Sequence, residues 1–165
     1  SQWLQGYGGH KRAAGLSIRK DDVETFAEAF ESFARTQLRE SDLLPVVEFD
    51  QDLDLGQVRP ALLNVLDTLE PHGQGNPEPV FRARNVEVLK VRTVGDLSDG
   101  KVGHLKLALR ASEEGHAIDA IWFGMGDADI EGGGKVELLY TPSINTWNGR
   151  STLQLRVRDL KTVTP

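Results

Sequence analysis

The 165-residue chain contains no cysteine and a single methionine. The missing thiols exclude disulfides and thiolate-bound metals, which suits a reducing compartment. No apolar run approaches the roughly 20 residues needed to cross a bilayer, and the opening SQWLQGYGGH lacks the basic-then-apolar pattern of a signal peptide. A cytoplasmic protein without a membrane partner is the expectation. There is no internal repeat, no low-complexity tract and no G-K-[ST] phosphate loop. Two G-x-G pairs, in GQGNPE and GMGDAD, carry Glu78 and Asp129 where a dinucleotide fingerprint needs its third glycine. His10, His72, His104 and His116 show no ligand spacing. The stretch DADIEGGGKVEL offers Asp127, Asp129, Glu131 and Gly132 as a calcium loop would, but its twelfth residue is Leu138 and not a bidentate glutamate. A solvated loop is expected there. No carboxylate pair stands out for acid–base work.

What is present is an ordinary globular composition, 39% hydrophobic and 27% charged. The chain begins at serine in what resembles mid-domain sequence, so a piece of a longer protein is expected. The net charge of −6 is unevenly spread. Residues 1–79 hold 7 Lys and Arg against 14 Asp and Glu, whereas residues 80–165 hold 12 against 11. The second half bunches its cations as Arg82, Arg84, Lys90 and Arg92, then Arg150, Arg156, Arg158 and Lys161. A local basic face binds phosphates whatever the overall charge, so nucleic acid stays open as a ligand.

Periodicity divides the chain into two textures. GYGGHKRAAGLSI predicts a glycine-rich turn, residues 6–10, feeding a short strand. Asp21 and Glu24 are spaced as a capping box, and Val23, Phe26, Phe30, Phe33 and Leu38 predict an amphipathic helix over 22–39. A strand is expected over 46–54. A second helix follows, carried by Val58, Leu62, Val65, Leu66 and Leu69, with Pro60 near its start. EPHGQGNPEP then packs three prolines and two glycines into ten residues, which excludes a helix or central strand. Beyond Val80 the pattern is all strand. VFRARNVEVLKVRTV has cations and valines on one parity, which calls for a bulge. HLKLALR alternates with Leu105, Leu107 and Leu109 inward. HAIDAIWF and KVELLYT follow. STLQLRVRDL sends Leu153, Leu155 and Val157 inward and Gln154, Arg156 and Arg158 outward, after the hairpin signal Asn148-Gly149. Five strands in about 85 residues predict a small closed barrel.

Two features carry candidate chemistry. Consecutive glycines in GYGGH let backbone N–H groups approach a phosphate without obstruction, with His10, Lys11 and Arg12 as further donors; the alternative is an ordinary turn. On the barrel, Lys106, Arg110, Arg156 and Arg158 project outward, and Trp147 with Arg150 occupies the last hairpin. Cations that track a backbone beside aromatics that stack bases are the pattern of single-strand binders. The alternative is that Trp147 lids the barrel and the cations are merely solvated.

Together these features resemble a known family. GGHKRAAGLSI with its following helix resembles the end of the DHHA1 domain of DHH-family phosphoesterases. LEPHGQGNPEPVF resembles the P-x-G-x-G-N-P-x-P-x-F signature of RecJ-like 5′→3′ single-stranded-DNA exonucleases. HLKLAL, IDAIWF and NTWNGRSTLQLRVRDL look like the oligonucleotide-binding (OB) domain that follows in that family. The resemblance implies an α+β chain: residues 1–42 as the strand–helix tail of an α/β DHHA1 domain, and residues 43–165 as a five-stranded OB-type barrel preceded by helices. It implies a DHH catalytic domain of the same polypeptide, absent here, that holds two Mn2+ or Mg2+ ions. No D-H-H occurs in this chain, so no catalytic residue is expected in it. By the same resemblance Gly8, Gly9 and His10 help hold the substrate phosphate, while Gly75 and Asn76 lie beside the DNA path. His72 stands where the family often has phenylalanine. The candidate DNA contacts are Asn76, Arg82, Lys106, Arg110, Trp147, Arg150, Arg156 and Arg158. Single-stranded DNA, the missing DHH domain and a second copy of the fragment, drawn by Phe26, Phe30 and Phe33, are the expected partners. A non-catalytic single-strand-binding scaffold, or a small-nucleotide phosphoesterase with a purely structural barrel, are the alternatives.

Overall fold

The computed structural model describes residues 3–11, 13–98, 101–112 and 115–163. It separates into two compact units, Ser1–Val46 and Val47–Pro165.

In the first unit β1 (Leu4–His10) and β2 (Ala13–Ile18) form an antiparallel hairpin. GYGGH is therefore strand and not turn. His10 and Ala13 face each other across the ladder, so the reversal comes after the glycines and not at them. Gly9 is needed for a different reason: a Cβ there would stand 2.6 Å from the Ala13 carbonyl oxygen. Helix α1 (Val23–Gln37) is slightly shorter than expected, and the Asp21–Glu24 box is not what starts it. A 3-10 turn over Lys20–Asp22 leads in, and Asp22, at the N-cap, makes no cap hydrogen bond because its carboxylate pairs with Arg19 at 2.9 Å. Phe26 packs between Trp3 and Phe30, with ring centroids 6.5 and 5.8 Å away. Phe30 and Phe33 stay exposed.

In the second unit the strand expected over 46–54 shrinks to β3 (Gln51–Asp52), parallel to the start of β4 (Phe81–Val94). Only the residues that reach the edge of β4 find a ladder to join. Asp54 caps a 3-10 turn by accepting from Gly56 N–H at 2.8 Å. That turn holds Leu55 and Val58 in the core before α2 (Pro60–Asp67) begins, so Val58 and Leu69 both fall outside the helix. Pro60 sits in its first turn, where no N–H is missed.

Strand β4 resolves its own parity conflict with two register shifts, between Ala83 and Val86 and between Val88 and Lys90. Asn85 takes a positive φ of 55° at the first, a conformation asparagine tolerates. Phe81 and Ala83, then Val86 and Val88, turn inward, and Arg82, Arg84, Lys90 and Arg92 all stay outside. Its first half pairs with β7 (Lys135–Trp147) and its second half with β5 (His104–Arg110). Strand β6 (Ile118–Trp122) joins β5 to β8 (Arg150–Val163), and β8 returns to β7. The pairing order β4-β5-β6-β8-β7 thus comes back to β4.

Leu105, Leu107, Leu109, Leu138, Tyr140 and Leu155 fill the interior of this ring, each leucine contributing about 1.5–3 kcal/mol of burial. Tyr140 donates its hydroxyl to the Leu53 carbonyl at 2.9 Å, and burial pushes its phenol pKa up. Gln154, expected outside, is only 8% exposed. Strand β8 has neighbours on both sides, and Asp119 and Ser143 flank Gln154 in the ladders.

Candidate nucleic-acid interface

The outward face of β4, β5 and β6 is assembled by register. Arg92 lies opposite Lys106, Lys90 opposite Ala108 and Glu87 opposite Arg110; Ile121 lies opposite Lys106 and Asp119 opposite Ala108. Lys90, Arg92, Lys106, Ala108 and Asp119 line one shallow groove of about 260 Å³. Lys106 reaches Asp119 at 2.8 Å. Among the described residues no ion pair holds Lys90 or Arg92, so three cations against one carboxylate give the groove a positive balance. Ile121 in turn faces Arg156 across the β6–β8 ladder, which continues the same face.

Most of the cations singled out from sequence are engaged within the chain. Arg82 makes two bonds to Asp52, at 2.6 and 3.0 Å, and its guanidinium lies 4.2 Å over the Phe49 ring. The hydrogen bond from Arg82 holds the Asp52 carboxyl below its usual range. Arg110 donates to Glu87 at 2.8 and 3.1 Å. Arg156 and Arg158 both grip Glu78, and Arg158 also donates to Thr141 Oγ1 at 3.1 Å. Burial pushes the Glu78 carboxyl up, but Arg156 and Arg158 outweigh it and leave it below its ordinary value. Asn76 donates its amide to the carbonyls of Leu69 at 2.8 Å and Pro71 at 3.0 Å, which pins the Gly73–Asn76 turn.

Trp147 and Arg150 flank the β7–β8 turn, facing each other across the ladder. Asn148 and Gly149 both adopt positive φ, 48° and 75°, as a two-residue hairpin turn demands. Trp147 is 74% exposed. Among the described residues an indole so displayed is not packed over the barrel core. Arg150 has no ion pair among the described residues.

In the separate N-terminal unit, alternation along the hairpin puts Gly6, Gly8 and His10 on one face with Ala13, Gly15 and Ser17. That face is nearly bare backbone, and a Cβ at Gly8 would meet nothing within 4 Å. His10 is its one large side chain. Arg12 lies outside the described residues.

Lys90, Arg92, His104 and Phe123 were not among the candidate contacts read from sequence. The two bulges in β4 hid the first pair, since a simple two-residue period cannot say which way Lys90 and Arg92 face. Among the described residues no group of three or more His, Asp or Glu side chains stands together as a metal site; Asp127, Asp129 and Glu131 lie in the loop between β6 and β7. Among them, too, no helix is long and apolar enough to cross a membrane.

Residues 49–159 match the RecJ OB domain family. The single-stranded-DNA-specific exonuclease RecJ of Bacillus subtilis is 28% identical over 158 residues, which cover 94% of this chain and 19% of that protein. RecJ of Haemophilus influenzae is 31% identical over 156 residues, covering 92% of this chain and 26% of its own length. The crystal structure of RecJ from Thermus thermophilus in complex with Mn2+ superposes with a TM-score of 0.70 at 27% identity, over 99% of this chain and 23% of that one. The chain spans about a fifth to a quarter of the relatives it matches.

Proposed function

This chain belongs to the RecJ OB domain family, and from that premise we propose that it is the strand-gripping C-terminal part of a 5′→3′ single-stranded-DNA exonuclease. The observation that carries the reading is the outward face of β4–β6, where Lys90 and Arg92, which have no ion pair among the described residues, line one groove with Lys106. Positive charge that folding leaves uncompensated on one sheet face attracts a polyanion. The ring of β4–β8 is read as the five-stranded OB barrel, and residues 1–42 as the end of a DHHA1 domain. In five-stranded barrels of this kind the second and third strands and the last hairpin line the oligonucleotide groove, which are β5, β6 and the Trp147 loop here.

Gly8, Gly9 and His10 would then present bare backbone and an imidazole to the phosphate being cut. The metals that activate water would sit in a DHH domain of the same polypeptide, outside these residues, so this chain binds and does not cut. Phe30 and Phe33 would be covered by that domain, or by a second copy of the fragment, and sedimentation as a dimer would support the latter. A cytoplasmic role in DNA repair and recombination belongs to the same proposal. Fluorescence anisotropy of a labelled strand of about 20 nucleotides tests the reading. Single-strand binding that exceeds duplex binding and weakens with salt, by about 0.7 in logarithmic slope per neutralised phosphate, is expected. No binding at low salt would overturn it.

A further inference from the structure

We propose that Phe123, braced by His104, is a base-stacking subsite for single-stranded DNA at one end of the β4–β6 face; the inference rests on the binding reading above. Phe123 immediately follows β6 and is 56% exposed. A phenylalanine left in water forgoes most of what its burial would contribute, yet this ring is not loose. It meets the His104 ring edge-on, with centroids 5.0 Å apart and planes at 71°. His104 is held in turn, because its Nδ1 accepts the Gly124 N–H at 3.0 Å. That acceptor role assigns the proton of a neutral ring to Nε2. An exposed aromatic surface fixed in advance loses little conformational freedom when a second ring stacks on it.

Its surroundings select the ligand. Leu105 pairs with Trp122, so the next positions outward, His104 and Phe123, share the sheet face that carries Lys106 and Ile121. Along β5, Lys106 is two residues from His104, about 7 Å, and faces Arg92. One nucleotide can therefore set its base on Phe123 and its phosphate towards Arg92 and Lys106. A purely apolar partner would cover the ring but bring no charge to Lys90 and Arg92, which have no ion pair among the described residues; a nucleobase joined to a phosphate satisfies both. The subsite is indifferent to sequence, since every base offers a π-face.

The test compares a thymidine strand of about 20 nucleotides with an abasic strand of the same length and charge, by anisotropy, on the chain and its variants. Phe123→Ala and Phe123→Leu are expected to weaken thymidine-strand binding about tenfold and leave the abasic strand unchanged. Phe123→Trp is expected to restore the affinity and to show fluorescence quenching when the strand binds. His104→Ala should narrow the gap between the two strands while leaving the abasic affinity intact, an outcome that general loss of packing cannot produce. Unchanged thymidine-strand affinity in Phe123→Ala would overturn the subsite while the binding reading stands. Equal losses on both strands would overturn it as well, since they would mark a role in folding or in phosphate contact. Failure of the unmodified chain to bind either strand would overturn both.

Discussion

Glu78 sits between folding and binding, and neutralising it separates the two. Its carboxylate accepts from Arg156 and Arg158, whose side chains are 35% and 36% exposed against 31% for Glu78. Ion pairs this open contribute about 0.2–1 kcal/mol each. Glu78→Gln keeps an oxygen acceptor but removes the charge, so a loss of about 0.5–1.5 kcal/mol is expected. For a unit of 119 residues that is a Tm lower by about 2–6 °C. The pH dependence follows from the lowered carboxyl pKa. The stabilisation is present above the unfolded glutamate value of about 4.3 and is lost as pH falls through the lower folded value. The wild-type advantage should therefore shrink in strong acid. Binding should move the opposite way, because two guanidiniums lose their internal anion. Single-strand affinity at low salt should rise, and the salt slope should steepen by up to about 1.4 if both arginines find phosphates. Thermal melts across pH and anisotropy across salt read the two effects. A variant that melts lower and also binds more weakly, with an unchanged slope, would mean instead that Glu78 positions arginines that bind only when held.

Trp147→Ala should leave the melting temperature nearly unchanged, given the exposure of the indole, and should weaken single-strand binding between about fivefold and a hundredfold. Leu107→Ala removes a side chain only 1% exposed and should cost about 2–5 kcal/mol in urea unfolding, with the m-value unchanged. Asp96, in the β4–β5 connection, accepts from Lys101 Nζ at 2.7 Å and from Ser98, which lower its carboxyl pKa to about 2. An NMR titration should find its midpoint near that value, with the loop contacts present above the unfolded value of about 3.9 and released as pH falls through about 2. A midpoint near the unfolded value would mean that the ion pair does not persist in solution.

Much of the second unit was legible because its signals are local. Leu105, Leu107 and Leu109 declare β5 by strict alternation, and Asn148-Gly149 declares the last hairpin. Pro60 at the head of α2 and the break at EPHGQGNPEP were equally plain. What escaped was set by partners distant in sequence. The two bulges of β4 show in the parity conflict, but their positions depend on β5 and β7. Gln154 reads as outward by alternation, yet neighbours on both sides cover it. GYGGH looks like a turn because glycine serves turns and bare strands alike. The candidate interface divided in the same way. Trp147 was visible as an aromatic at a hairpin tip. The pairing of Arg82, Arg110, Arg156 and Arg158 with carboxylates 23 to 80 residues away was not. Phe123 was hidden because an aromatic ending an apolar strand looks like core.

Whether the β4–β6 face grips a single strand is read most directly from a map of amide shifts on the isotopically labelled chain, as a short thymidine strand is titrated in. Shifts are expected to cluster at Lys90, Arg92, Lys106, Ile121 and Phe123, with the indole N–H of Trp147 moving alongside them. Shifts confined to the outer side of β7, or none at a strand concentration sufficient to saturate, would contradict it.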